Sequence, residues 1–281
     1  MRVLLTGARG MLGTDLSALI RERHELHPID IEEVDITDGP ATMALIEKIR
    51  PDAIIHTAAY TDVDGCESHV DQAFQVNGEG TRHVAEGAHR SGASMLYVST
   101  DYVFDGKSAS PYRVEDEPRP MSVYGKSKLR GEVYTRELAA QHYIVRTGWL
   151  YGEHGANFVE KVIGLARDRP RLEIVDDQVG SPTYSKDLAP ALLRLVESGR
   201  FGTYHVTNDG SCSWFEFARH ILDLAGIEDI EVVPTTSERL ARPAPRPPYS
   251  VLDNSAWREV FGSGLRHWRE AIEEYVRHRP R

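Results

Sequence analysis

Cysteine is nearly absent: the 281 residues include only Cys66 and Cys212, far apart and in no CxxC pattern. That excludes a disulfide framework and fits a reducing compartment, the cytoplasm. Positive charge is in deficit, with 33 Lys and Arg against 43 Asp and Glu, for a formal net charge of -10. An acidic surface repels phosphate backbones, so no nucleic acid partner is expected. No apolar run approaches the roughly 20 residues that span a bilayer, so no membrane partner is expected either. The opening MRVLLTGARG is too short and too broken by glycine to serve as a signal peptide. Internal repeats and low-complexity tails are also missing. What remains, 41% hydrophobic and 27% charged, is an ordinary globular balance.

The hydrophobic pattern alternates. Val3–Thr6 reads as a strand that ends in GARGMLG, and Leu12, Leu16, Leu19 and Ile20 then recur at helical spacing. Glu25–Ile29 reads as a second strand and ATMALIEKIR as a helix stopped by Pro51. DAIIHTAA, Met95–Ser99 and YIVRTGWLY read as further strands, with helical patterns over 69–90 and SKLRGEVYTRELAAQ between them. Such alternation predicts an α/β fold: a Rossmann-like, doubly wound parallel sheet. Beyond Tyr151 the alternation becomes irregular, which predicts a smaller, irregular α/β substrate domain. The expected dinucleotide-binding domain is 1–149, rejoined by 181–208 through GTYHVTN; 150–180 and 209–281 form the expected substrate domain. Residues 234–250 carry five prolines and no hydrophobic period, and read as an ordered or semi-ordered loop.

Gly7, Gly10 and Gly13 follow a strand and open a helix. Backbone N–H groups at a helix N-terminus attract phosphate, and glycine permits close approach of a pyrophosphate. Asp30 ends the second strand, where an acid would hold the adenosine 2′-OH of NADH. Arg9, inside the turn, could instead pair with the 2′-phosphate of NADPH. Both cofactors stay open. Tyr124 and Lys128, in YGKSK, share one helix face. A neighbouring ammonium favours a phenolate, which would make Tyr124 a better proton donor near neutrality. Thr100, at a strand end, adds a hydroxyl for a substrate carbonyl.

The motifs TGARGMLG, HTAAYTDVD, VSTDYVFDG, YGKSK and RTGWLYG together resemble the extended short-chain dehydrogenase/reductase superfamily. Within it the chain is similar, nearly end to end, to the dTDP-4-dehydrorhamnose reductase family. That resemblance implies an NADPH- or NADH-dependent oxidoreductase. It would reduce the 4-keto group of dTDP-4-dehydro-L-rhamnose to dTDP-L-rhamnose. It implies that Gly7, Gly10, Met11 and Leu12 bind the cofactor diphosphate, Asp30 or Arg9 the adenosine ribose, and Asp35 and Ile36 the adenine. Ala58, Ala59 and Tyr60 would line the path to the nicotinamide. Tyr124 would be the proton donor, Lys128 would hold the nicotinamide ribose, and Thr100 would orient the keto oxygen. Val63, Asp101, Tyr102 and Phe104 would face the sugar. Trp149 would form a flat wall against sugar or thymine, and Arg246 would meet the substrate diphosphate.

Some members of this family form metal-linked dimers through clustered carboxylates. Asp15 could supply one, but Lys186 stands where such members tend to carry an acid, and the C-terminal RHRPR is basic. No metal is therefore expected, and monomer and homodimer both stay open. Nucleotide-sugar dehydratases share the fold, but the resemblance places a glutamate after their Thr-Asp pair, where this chain has Tyr102. An epimerase shares the Tyr and Lys; YVFDG and RTGWLYG favour the reductase. A rival from another class is a non-catalytic nucleotide-binding subunit, similar to the regulatory subunit of methionine adenosyltransferase. Intact Thr100, Tyr124 and Lys128 favour the enzyme.

Overall fold

Arg2–Thr6 (β1) lies inside the main sheet, with a parallel strand on either side. Val3 and Leu5 face one apolar layer, Leu4 faces the opposite one, and all three are fully buried. A strand covered on both faces is what a parallel, doubly wound sheet requires. The computed structural model describes residues 1–279. Pro280 and Arg281, which belong to the basic C-terminus and the expected substrate domain, lie outside the described residues.

Met11–Arg23 (α1) follows β1, then Glu25–Ile29 (β2), Gly39–Ile49 (α2) and Ala53–His56 (β3). Val63–Ser68 (α3), Val70–Phe74 (α4), a π-helical stretch at Gln75–Gly80 and Thr81–Ser91 (α5) lead into Ser94–Thr100 (β4). Val123–Leu138 (α6) precedes His142–Thr147 (β5). The chain continues through Leu150–Tyr151 (β6), Phe158–Asp168 (α7), Arg171–Val175 (β7), Val179–Gly180 (β8) and Thr183–Tyr184 (β9). Ser185–Ser198 (α8) and Gly202–His205 (β10) follow. The remainder holds Cys212–Ser213 (β11), Trp214–Leu224 (α9), Glu231–Thr235 (β12), Ser237–Leu240 (α10), Ser255–Phe261 (α11) and Trp268–His278 (α12).

Among the described residues, the main sheet has six parallel strands in the order β10-β5-β4-β3-β1-β2. The α/β class and parallel sheet expected from the alternation are borne out. On one face α1 and α8 bury Leu16, Ile20, Leu188 and Leu192; on the other α2 and α5 bury Ile46, Val84 and Ala88. Each of the leucine, isoleucine and valine side chains contributes about 1.5–3 kcal/mol by leaving water. A separate apolar cluster, including Val159, Phe217, Trp268 and Ile272, joins α7, α9 and α12. Strand order reverses at β1, so the crevice between the ends of β1 and β3 is where a doubly wound sheet takes a ligand. No described helix is long and apolar enough to cross a membrane.

Two elements differ from the sequence reading. The helical pattern of 69–90 resolves into α4, the π stretch and α5, with α3 ahead of it. Asn77, inside the π stretch, exchanges hydrogen bonds with Tyr60: its Oδ1 accepts the Tyr60 N–H at 2.8 Å, and its Nδ2 donates to the Tyr60 carbonyl at 3.0 Å. The run YIVRTGWLY is two strands, because Trp149 takes a left-handed φ of 49° between β5 and β6. For a residue with a Cβ that geometry costs about 1–2 kcal/mol.

Candidate active site

The end of β1 turns on Gly7, whose φ is 67°. A Cβ there would stand 2.7 Å from the Ala58 nitrogen at the end of β3. Glycine is therefore what lets the two strand ends close on each other. Gly10 caps α1 without a side chain, so no hydroxyl or carboxylate occupies the first-turn N–H groups. Gly10, Met11, Leu12 and Gly13 line a cleft of about 750 Å3 together with Ala58 and Ala59. An uncapped helix N-terminus with glycine-permitted backbone approach fits a dinucleotide diphosphate. Asp30, Asp35 and Ile36 line the same cleft, next to Val34 and Ile31.

Thr100 closes β4. Its Oγ1 accepts the Tyr102 N–H at 3.1 Å and donates to Asp101 Oδ1 at 3.0 Å. Helix α6 starts against this turn. Ser122 Oγ accepts the Gly125 N–H at 3.1 Å, and the Val123 N–H donates to Glu67 Oε1 of α3 at 2.8 Å. A side chain at Gly125 would collide with the Tyr102 carbonyl, so glycine allows the helix to sit directly on the loop. Tyr124 is thereby held beside Thr100 in its first turn, and Lys128 lies one turn further on. All three line the cleft.

Lys128 is buried, and its Nζ donates to the Val98 carbonyl at 2.7 Å. Burial pushes it down to about 7, against a smaller upward pull from Glu132. Burial pushes the Tyr124 phenol up; the Thr100 hydroxyl opposes this, while Asp101 and Tyr102 add to it. The sequence reading expected Lys128 to lower Tyr124. In the free protein desolvation dominates instead and favours the neutral form of each group.

Val63, Asp101, Tyr102 and Trp149 also line the cleft. Asp101 is pushed up to about 6 by burial, restrained by hydrogen bonds from Ser250 and Thr100. The Tyr102 ring meets Tyr124 edge-on, with centroids 5.9 Å apart. Four residues named from the sequence do not line the cleft. Phe104 is 1% exposed and stacks on Tyr112 at 4.2 Å, because the turn at Asp101–Val103 directs Tyr102 outward and Phe104 into the core. Tyr60 contributes its backbone to the Asn77 clamp. Arg9 points outward into a groove on the far side of α1 and pairs with Glu32 and Glu33. Arg246 is paired with Asp64 of α3 through hydrogen bonds of 2.9 and 3.1 Å.

Sequence reasoning missed Trp214 and His154, both of which line the cleft. The Trp214 indole lies parallel to Trp149 at 3.5 Å and 3°. Its helix start was legible, since Ser213 and Glu216 form a capping box. That it would meet a tryptophan 65 positions earlier was not.

A parallel sheet with its cleft at the strand reversal, a glycine cradle and a Thr–Tyr–Lys corner defines a dinucleotide-dependent oxidoreductase of the extended short-chain class. The comparisons are more particular. The family model described as RmlD substrate binding domain matches residues 1–280, and the chain belongs to that family. It is 44% identical over 280 residues to a dTDP-4-dehydrorhamnose reductase of Streptomyces griseus, covering 97% of this chain and 92% of the relative. The crystal structure of a dTDP-4-dehydrorhamnose reductase from Clostridium acetobutylicum superposes with a TM-score of 0.96 at 41% identity, covering 99% of each chain. That of a dTDP-4-dehydrorhamnose reductase from Bacillus anthracis in complex with NADP gives 0.95 at 40% identity, covering 98% of each.

Proposed function

We propose that this protein reduces the 4-keto group of dTDP-4-dehydro-L-rhamnose with NADPH or NADH, forming dTDP-L-rhamnose. The observation that carries the reading is the convergence of Thr100, Tyr124 and Lys128 on the cleft that the glycine turn opens. Reductases of this name among the relatives, one with NADP bound, support it.

A bound nicotinamide cofactor supplies the hydride. Gly10, Met11 and Leu12 present backbone N–H groups to its diphosphate. Asp30 faces the adenosine ribose, with Asp35 and Ile36 beside the adenine. Arg9 reaches a 2′-phosphate only by leaving Glu32 and Glu33. Ala58, Ala59 and the Tyr60 backbone form the wall towards the nicotinamide, and Lys128 meets its ribose.

Thr100 Oγ1, by turning its single proton away from Asp101, donates a hydrogen bond where negative charge grows on the keto oxygen, a local oxyanion contact. Tyr124 gives that oxygen its proton. An alkoxide is a stronger base than a phenolate, so the transfer stays downhill even from a phenol whose pKa burial has raised. Asp101, Tyr102 and Val63 shape the sugar site, and Trp149 with Trp214 forms its flat wall.

The apolar cluster that joins α7, α9 and α12, apart from the two layers on the main sheet, supports reading 1–149 with 181–208 as the dinucleotide-binding part and 150–180 with 209–281 as the substrate part, with Tyr184 and Trp257 packing across the division. On this reading the enzyme acts in the cytoplasm, as a monomer or homodimer. The test supplies NADH and NADPH separately with dTDP-4-dehydro-L-rhamnose and identifies the sugar by NMR. Formation of dTDP-L-rhamnose is the expected result. Cofactor binding without turnover would return the reading to a regulatory subunit, and an epimerised ketone to an epimerase.

A further inference from the structure

The Lys128 ammonium sits over a tyrosine ring. Its Nζ lies 4.2 Å from the ring centroid of Tyr97, a fully buried residue of β4. The ring is held on several sides. The Tyr97 hydroxyl donates to the Lys128 backbone carbonyl at 3.2 Å, and Gly131 leaves the room that the hydroxyl occupies. His56 of β3 stacks on the ring, with centroids 5.6 Å apart at 27°. His56 itself is fixed by Thr6 at 2.6 Å and Thr81 at 3.1 Å.

An ammonium has three N–H donors and no acceptor. One is taken by the Val98 carbonyl. No carboxylate pairs with Lys128 among the described residues. The Tyr97 face offers the negative end of its quadrupole in a second direction. The third direction opens on the cleft that Lys128 lines.

We propose that Tyr97 is a positioning residue, whose ring face favours the ammonium form of Lys128 against its burial and aims its remaining donor into the cleft. The titratable groups facing this corner are few. Glu132 and Tyr124 come from α6, His56 from β3, and Tyr97 from β4. His56 is pushed down to about 3 by burial and by Lys128, so it stays neutral at working pH. Burial keeps the Tyr97 and Tyr124 phenols neutral. Glu132 is held low by Arg146, against its own burial. Asp101 acts on Tyr124. Lys128 and Asp101 are therefore the groups near this corner that titrate within reach of neutrality, and the lysine label reports Lys128 alone.

The reason the lysine matters rests on the reductase reading; the test does not. Protein carrying lysine labelled with 13C at Cε is titrated without cofactor or substrate, and Lys128→Met identifies the resonance. Tyr97→Phe keeps the ring face, whereas pentafluorophenylalanine at the same position keeps the shape and reverses the quadrupole. The expected result is one midpoint shared by wild type and Tyr97→Phe, and a midpoint about one pH unit lower for the fluorinated ring. NADPH binding at pH 8, read by fluorescence, should weaken several-fold for the fluorinated ring alone. A fluorinated protein that titrates like Tyr97→Phe overturns the proposal. So does a Tyr97→Phe shift as large as the fluorinated one, since the hydroxyl would then be the active group. Failure of the sugar assay with the expected lysine titration would sink the reductase reading alone.

Discussion

Ser250 donates a 2.5 Å hydrogen bond to the carboxylate of Asp101, 149 positions earlier in the chain. The bond ties the C-terminal segment to the turn that carries Thr100. Two further ties run in parallel: the Ser250 N–H donates to the Val179 carbonyl at 2.8 Å, and Arg246 pairs with Asp64. The segment is thus tied to residues from three separate parts of the chain, Asp64, Asp101 and Val179.

Asp101 makes this tie sensitive to pH. Its folded-state pKa, about 6, lies above the ordinary carboxylate value. The folded chain therefore binds this proton more tightly than the unfolded chain does. The resulting stabilisation is complete below about pH 4 and is lost as pH rises through about 6. Asp101→Asn keeps an acceptor for Ser250 and cannot ionise. Above pH 6 it should be more stable than wild type by on the order of 1–3 kcal/mol, with the gap closing near pH 4. Urea midpoints of both proteins at pH 4.5 and pH 8 measure this, and a gap that does not change with pH refutes it.

Tyr124→Phe removes the proton donor and leaves the packing of α6 intact. Turnover should fall on the order of 10²–10⁴-fold. NADPH affinity should stay nearly unchanged, because Lys128 and the glycine cradle remain. Single-turnover kinetics and a fluorescence titration separate the two effects; full activity in the variant would remove Tyr124 from the mechanism.

Asp64→Asn tests how the proline-rich segment is held. Asp64 accepts from Arg246, from Arg242 at 3.0 Å and from the Ala244 N–H at 3.2 Å. Burial alone would raise its pKa, but these bonds, Arg246 first, bring it down to about 2. Its contribution to stability is therefore present above about pH 4 and lost as pH falls towards 2. The variant should raise KM for the dTDP-sugar several-fold with little change in kcat. It should also speed tryptic cleavage after Arg239, whose neighbour is Leu240 rather than proline, in the free protein. Unchanged KM and unchanged cleavage together would show that Asp64 does not hold the segment.

Much of this was readable in the chain itself. Apolar runs separated by helical spacing announce a parallel sheet, because strands buried on both faces have no polar side to show. Three glycines between a strand and a helix announce a phosphate cradle, because their function is local backbone geometry. Tyr124 and Lys128 announce one helix face. Phe104 was misplaced because a single turn of 3-10 helix, invisible in a hydrophobic pattern, sends neighbouring side chains to opposite sides. Arg246 was assigned to the substrate from its charge, without sight of the Asp64 carboxylate that holds it. Trp149 was read within one strand because nothing in its composition reports a left-handed φ.

The sequence by itself determined the class of fold, the glycine turn and the pairing of Tyr124 with Lys128 on one helix face. All of these rest on interactions between residues close in the chain or on a repeating period. Only the tertiary structure decided the protonation of Tyr124 and Lys128, the Trp149–Trp214 wall, the Tyr97 seat under the lysine and the ties from Asp101 and Asp64 to the C-terminal segment. These depend on burial and on partners tens of residues away. Desolvation and long-range pairing are properties of a closed core, and they arise only once the sheet has brought its strand ends together.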